Sequence, residues 1–149
     1  MRLVIQRVTE AAVTVDDRET GRIGAGLVIF VGVASGDTED DAIRLARKTA
    51  HLRIFPAESG RFDRSLIDIC GAALVISQFT LLADVRRGRR PYFGEAAAAN
   101  EAEPLVRRYA DSLRALGIEV AEGVFGAHMV VRLANDGPVT ITLASEDLG

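Results

Sequence analysis

Apolar residues recur with two different periods along the chain, and these periods predict its secondary structure. Near the amino-terminal end polar and apolar positions alternate, so Leu3, Ile5 and Arg7 share one face of a predicted strand. The apolar run over 26–33 has the length of a strand, which favours a central strand covered on both faces. Shorter runs predict further strands over 11–15, 73–82, 120–124, 129–133 and 139–143.

Two stretches carry the period of an amphipathic helix. Thr38 followed by Asp41 resembles a capping box, and the helix that it starts is expected to reach about Ala50. The second helix is predicted to begin near Pro104, a favourable first helical position, and to end before Gly117. The apolar faces are expected to consist of Ile43, Ala46 and Ala50 in the first helix, and of Leu105, Tyr109, Leu113 and Leu116 in the second.

The segment between the last two predicted strands contains conflicting signals. Asp136-Gly137 is typical of a β-hairpin turn. Pro138 follows directly, although proline cannot donate to a sheet and therefore occupies edges, strand starts or irregular turns. The pattern predicts a strand, an irregular Gly-Pro turn and a second strand.

The order of these elements predicts the fold class. Strand clusters interrupted by two helices favour an α+β fold with a curled, mixed and barrel-like sheet. With 149 residues, the chain is long enough for a single domain over 1–149 that buries a substantial core.

Charge and composition narrow the possible partners. A net charge of −3 gives no overall positive field, so any contact with a nucleic acid depends on a local basic patch. The single cysteine, Cys70, allows no intrachain disulfide and is expected to be a small buried residue. The amino-terminal segment does not resemble a signal peptide, and no stretch approaches about 18 apolar residues. We therefore expect no membrane span and a cytoplasmic location.

Familiar catalytic and metal-binding motifs are absent. The sequence contains no P-loop, GxSxG, HExxH or CxxC motif. Its two histidines, His51 and His128, are expected to be structural or exposed, and no Asp, Glu and His cluster has metal-ligand spacing. No metal and no organic cofactor are therefore expected.

Polar residues interrupt an apolar strand at Ser77, Gln78 and Thr80, with Phe79 between them. A strand that leaves the core would show this pattern. So would a pocket mouth that presents hydroxyl, amide and backbone N–H groups. Because none of these groups is a strong base, such a site suits a substrate that is already reactive and needs mainly stabilisation of an oxyanion.

Two later segments are candidate binding elements. One is a loop with four arginines, Arg86, Arg87, Arg89 and Arg90. Together with Tyr92 and Phe93 this loop could hold phosphates and stack on bases, and a solvated basic loop is the alternative. The other segment is 125–129, where Gly126 and Ala127 permit close backbone approach before a predicted strand. Its candidate substrate contacts are Phe125 and Met129.

Three motifs in this order resemble the dimeric D-aminoacyl-tRNA deacylases of bacteria and eukaryotes: SQFTLLAD at 77–84, GRRPYF at 88–93 and NDGPVT at 135–140. The resemblance extends over almost the whole chain. It implies a homodimer that hydrolyses the ester between a D-amino acid and the 3′-terminal adenosine of tRNA, without a cofactor. It also implies that 77–80 form the active site, with Phe79 acting through its main chain and Thr80 as a positioning group or a nucleophile.

The same resemblance assigns a role to Gly137 and Pro138. In this family the Gly-Pro bond is cis, and the unit from one subunit enters the pocket of the other, where its main chain excludes an L side chain. Glycine has no side chain to exclude, so glycyl-tRNA is also expected as a substrate, including glycine mischarged onto an alanine tRNA. Arg7 resembles the residue that holds this loop, and a surface arginine is the alternative.

Two other functions remain possible at this point. The chain could be a catalytically silent tRNA-binding module similar to the editing domains of synthetases. It could also be a structural dimer whose Gly-Pro loop serves assembly. Neither alternative predicts ester hydrolysis, and the second also predicts no affinity for tRNA.

Overall fold

A long first strand organises the sheet. The computed structural model, which describes residues 1–149, places β1 at Arg2–Val15 and β8 at Val130–Ala144, and these strands pair antiparallel along most of their length. On its other side β1 pairs antiparallel with β2 (Arg18–Ile23) and with β3 (Gly26–Gly32). One strand thus holds three neighbours, which curls the sheet.

Parallel pairing extends the sheet beyond β3. Strand β6 (Ala72–Ser77) lies parallel to β3, and β7 (Glu119–Glu122) lies parallel to β6. The strand order is β2-β1-β3-β6-β7. A Cβ atom added to Gly21 of β2 would lie 2.9 Å from the carbonyl oxygen of Glu122 in β7, so the first and last strands of this order approach each other. The mixed sheet is therefore nearly closed, which confirms the predicted α+β, barrel-like fold. A separate small hairpin consists of β4 (Phe55–Pro56) and β5 (Phe62–Arg64).

The first helix follows the sequence prediction closely. Helix α1 spans Glu39–His51 and begins with the expected capping box: the Thr38 hydroxyl accepts from the Asp41 N–H, and the Asp41 carboxylate accepts from the Thr38 N–H. Ile43 lies at the edge of the buried face and is partly exposed. The fully buried residues of α1 are Ala42, Leu45, Ala46, Thr49 and Ala50.

The second helix begins earlier than predicted. Helix α2 spans Ala99–Ala115, so Pro104 lies inside the helix rather than at its start. The residue before the helix, Ala98, has no side-chain oxygen to cap it, and the sequence therefore carries no starting signal there. Leu116 follows the last helical turn and is 36% exposed, unlike the three other residues of the predicted apolar stripe. Neither helix combines the length and the apolar surface that crossing a lipid bilayer requires.

Two apolar clusters lie on opposite faces of the sheet. The larger one fills the space between the sheet and the helices and includes Ile29 and Tyr109. The smaller one fills the inside of the barrel and includes Val28 and Leu74. Because successive residues of β3 enter different clusters, the prediction of a central strand covered on both faces is confirmed.

Cys70 is exposed, and the expectation of a buried cysteine was wrong. It lies in the turn before β6 with a φ of 52°, a conformation that places it outside the regular packing of strand and helix. Residue type alone favours burial of cysteine, but the turn geometry decides its position.

The largest departure from the predicted elements occurs at Gly137-Pro138. The chain does not reverse there, because β8 continues in the same direction and pairs with β1 on both sides. Between the pairs Val8–Asn135 and Gln6–Thr140, β1 contributes only Arg7, whereas β8 contributes four residues. The Gly-Pro unit is therefore a wide bulge within one strand rather than a turn between two. Its peptide bond is cis, as the resemblance implies.

Candidate active site

A cavity of about 420 Å³ opens at one edge of the sheet. Because β3 and β6 are parallel, their carboxyl ends meet at this edge, which is the usual ligand position in parallel sheets. Five of the residues predicted from the sequence line the cavity: Ser77, Gln78, Phe79, Phe125 and Met129. The amino-terminal half of α2 contributes Ala99, Ala102 and Val106 to the remaining wall.

The main chain turns sharply where the polar residues begin. Strand β6 ends at Ser77, and Phe79–Leu82 form a turn of 3₁₀ helix, so the predicted strand over 73–82 was too long. Side chains do not alternate between two faces here as they would in a strand, since the neighbours Phe79 and Thr80 are both exposed. The Gln78 N–H donates to the Val31 carbonyl oxygen at 2.8 Å, which fixes the start of the turn against β3.

Thr80 lies beside the cavity and does not line it. The amide nitrogen of Gln78 donates to the Thr80 hydroxyl oxygen, and this is the side-chain partner of the hydroxyl. An amide cannot accept the hydroxyl proton as a base would, so the arrangement favours a positioning role for Thr80 over a nucleophilic one. No group of three or more His, Cys, Asp or Glu side chains is placed to hold a metal ion.

Arg7 is buried opposite the bulge in β8, with 7% of its surface exposed. Its Nη1 atom donates to the carbonyl oxygen of Ile54 at 2.7 Å, and its Nε atom donates to that of Asp136 at 3.2 Å. The Asp136 carboxylate lies 3.3 Å from the same Nε, and the guanidinium lies 5.3 Å from the centre of the Phe62 ring. Arg7 is thus not a surface arginine, and it holds the main chain at the start of the bulge.

The bulge is also fixed from within β8. The amide nitrogen of Asn135 donates to the carbonyl oxygens of Arg7 at 2.9 Å and of Val139 at 3.0 Å. Gly137 has a φ of 120°, and a Cβ atom there would lie 3.0 Å from Nη2 of Arg7. Gly137 and Pro138 are exposed and do not line the 420 Å³ cavity of their own chain.

The arginine loop is closed by a pair of main-chain hydrogen bonds. Asp84 and Tyr92 exchange N–H to oxygen bonds of 2.7 and 2.9 Å. The Asp84 carboxylate accepts from Nε and Nη2 of Arg86 at 2.9 and 2.7 Å and from its main-chain N–H at 3.0 Å, and these bonds lower the pKa of Asp84 to about 2. The other three arginines, Arg87, Arg89 and Arg90, are exposed and form no ion pair.

A family model described as D-Tyr-tRNA(Tyr) deacylase matches residues 4–144. This chain belongs to that family. D-aminoacyl-tRNA deacylases from Thermomicrobium roseum and Thermus aquaticus are 60% and 52% identical to it, over 99% of this chain in both cases and over 96% and 97% of theirs. The resemblance predicted from the three sequence motifs is confirmed, and with it membership of a hydrolase family.

Two solved structures share the fold of this deacylase family member. One, c-Myc DNA Unwinding Element Binding Protein, has a TM-score of 0.90 and 37% identity, covering 96% of this chain and 97% of its own. The other, a probable eukaryotic D-amino acid tRNA deacylase, has a TM-score of 0.85 and 18% identity, covering 95% and 97%. The second likeness concerns the fold alone.

Several cavity residues of this deacylase family member were not predicted from the sequence. Val31 lies near the end of β3 and Val33 directly after it, Ala102 and Val106 lie on α2, and His128 adjoins Met129. Alanine and valine are ordinary core residues, so their types carried no signal. For His128 the only available signal was its position between two candidate substrate contacts.

Proposed function

We propose that this chain hydrolyses the ester bond of D-aminoacyl-tRNA, releasing the free amino acid and tRNA. The family match over residues 4–144 supports the reaction. The observation that carries the proposal is the cavity that Ser77, Gln78 and Phe79 line at the carboxyl ends of β3 and β6. With a tRNA substrate, the location we propose is the cytoplasm.

The chemistry proposed for this site needs no strong base. An aminoacyl ester is already activated, and its ribose carries a neighbouring hydroxyl that can assist the attack of water. The first N–H groups of a helical turn have no partner within that turn, so the N–H groups at the start of Phe79–Leu82 are available to an oxyanion. The main chain of Phe79 then stabilises the developing charge, while Ser77 and Gln78 orient the substrate.

The role of Thr80 can be tested directly. As a positioning group it can be replaced by alanine with about a tenfold loss of rate, equivalent to about 1.4 kcal/mol. A covalent acyl-Thr80 intermediate would contradict this role.

EDTA is expected to leave the rate unchanged, and inhibition that an added metal reverses would show that a set of metal ligands had been missed.

Chiral selection is proposed to require a homodimer. Gly137 and Pro138 project from the surface of their own chain and lie outside its cavity, so they can act at a catalytic cavity only in a second copy. Their main-chain atoms would then occupy the space that an L side chain needs. Such exclusion tolerates any D side chain, and it cannot reject glycine.

The test is a comparison of single-turnover rates on glycyl-, D-alanyl- and L-alanyl-tRNA. Cleavage of the first two with an inert L ester is expected. Rejection of L-alanine must come from a steric clash, since a small difference in pocket size supplies only about 1–3 kcal/mol. If glycyl-tRNA is as inert as the L ester, the pocket recognises a D side chain and the exclusion mechanism is wrong. If tRNA binds but no ester is cleaved, the chain is a silent binding module instead.

A further inference from the structure

The side chains of one aromatic pair, Phe79 and Phe93, have no role in the function proposed so far. The side chain of Phe79 is 59% exposed, although a large apolar ring usually gains free energy from burial. It contacts Phe93 in an edge-to-face arrangement, with 5.0 Å between ring centres and 66° between ring planes. This contact orients the Phe79 ring and still leaves more than half of its surface open.

The pair lies between the cavity and the arginine loop. Phe79 lines the cavity, whereas Phe93 directly follows Tyr92, whose hydrogen bonds with Asp84 close the loop. A second cavity of about 540 Å³, lined by Asp84, Arg86, Arg87 and Tyr92, lies on the loop side. A nucleic-acid strand with phosphates on the arginines and its last nucleotide in the first cavity must therefore pass the Phe79 ring.

The size of the first cavity limits what enters it. Its volume of about 420 Å³ lies near the lower end of the range for small-ligand sites, roughly 300–1,000 Å³. The terminal nucleoside must enter, because its ester has to reach the 3₁₀ turn. The base that precedes it then remains outside, next to an exposed ring that can stack on any base.

We propose that Phe79 is a stacking platform for the base that precedes the terminal adenosine, and that Phe93 holds the ring in position. The proposal rests on the function proposed above and adds a specificity for polynucleotide esters over mononucleoside esters. Stacking and phosphate contacts are both independent of base identity. The platform therefore suits an enzyme that must act on many different tRNAs.

The experiment compares two substrates, the D-alanyl ester of adenosine and the D-alanyl ester of the trinucleotide CCA. The measured quantity is the ratio of kcat/KM for the trinucleotide to kcat/KM for adenosine. Phe79→Leu keeps an apolar side chain of similar size without the ring, and it is expected to lower this ratio about tenfold. Phe79→Tyr should keep the ratio, and Phe93→Leu should lower it to an intermediate value.

Phe62→Leu is the matched control, since Phe62 is an exposed phenylalanine, at 54%, that lines neither of the two cavities. Its ratio should equal that of the wild type. If Phe79→Leu lowers kcat/KM equally on both substrates, the side chain acts only at the reaction centre, and the stacking proposal is wrong. A drop of the ratio in Phe62→Leu as large as that in Phe79→Leu would also contradict the proposal. If the wild-type protein cleaves neither ester nor D-alanyl-tRNA, the proposed function itself is wrong.

Discussion

The Nε atom of Arg7 donates to the main-chain oxygen of Asp136 at 3.2 Å, across the widest gap between β1 and β8. The side chain thereby fills the space that the bulge opens in the ladder. The same guanidinium reaches Ile54 in the segment before β4, so one buried residue ties the bulge to a second part of the chain.

Replacing Arg7 with methionine should lower the free energy of unfolding by about 1–3 kcal/mol, because two main-chain oxygens lose their donor. Urea denaturation measures this change. Asp136→Asn is the control: it removes only a half-exposed ion pair, which contributes at most about 1 kcal/mol, and keeps the main-chain oxygen.

If the bulge selects D esters, Arg7→Met should also raise the rate on L-alanyl-tRNA relative to D-alanyl-tRNA. An unchanged ratio of the two rates would show that Arg7 has no part in the selection of D esters.

Gly137→Ala should be more damaging than an alanine at a glycine without close neighbours. At Gly137 the new methyl group would lie 2.9 Å from Cγ2 of Val139 and 3.0 Å from Arg7, at a φ of 120°. Gly117, after α2, has a φ of 85° and open space around it, so Gly117→Ala costs only the backbone strain of about 1–2 kcal/mol. We expect D-alanyl-tRNA deacylation to fall at least about tenfold in the first variant and to stay unchanged in the second. Equal activities would show that the bulge is dispensable.

The four arginines of the loop should contribute unequally to tRNA binding. Arg86 already pairs with Asp84, whereas the other three arginines have no counter-ion in the chain. Replacing Arg87 or Arg89 with alanine should flatten the dependence of log Kd on log salt concentration by about one unit each. Arg86→Ala should change this slope less. If all four substitutions change the slope equally, the expected difference between Arg86 and the other arginines is wrong. If none changes it, the loop is a solvated surface that does not contact tRNA.

The pKa of Asp84 offers a direct check of the loop geometry. Bonds from Arg86 lower it from 3.8 to about 2, so the carboxylate form is the one that the fold stabilises. That stabilisation is complete above about pH 4 and is lost as the pH falls through about 2. A carboxyl-carbon NMR titration should show a midpoint near 2 in the wild type and in Arg87→Gln. In Arg86→Gln the midpoint should move back toward the usual range, and a midpoint that stays near 2 would assign the shift to another group.

Local sequence signals predicted the elements that depend on near neighbours. Alternation along β1, the apolar run of β3 and the capping box at Thr38 all determine structure within a few residues. The start of α2 at Ala99 carries no capping residue, and the end of β6 at Ser77 depends on contact with β3, so neither boundary was predictable from local pattern. A hairpin signal such as Asp136-Gly137 describes a local bend and not the partner strand, which is why a bulge was mistaken for a turn.

The candidate site was predicted in part. Its polar edge followed from the break in apolar pattern at Ser77 and from the family motifs. Its apolar wall did not, because Val106 and Ala102 differ in no way from core residues until the fold brings α2 over the end of β6. The contact between Phe79 and Phe93 and the bond between Asp84 and Arg86 likewise depend on the folded path of the loop.

The bulge constrains how this protein can change its length during evolution. On both sides of it the odd-numbered residues of β8 are less exposed than their even-numbered neighbours: Leu133 packs against the smaller apolar cluster and Ile141 against the larger one. Inserting or deleting a single residue between Asn135 and Val139 would shift one half of β8 by one position. The less exposed side chains of that half would then point toward solvent. Length variants of this segment among related proteins should therefore differ by two residues, or should carry a compensating change in β1.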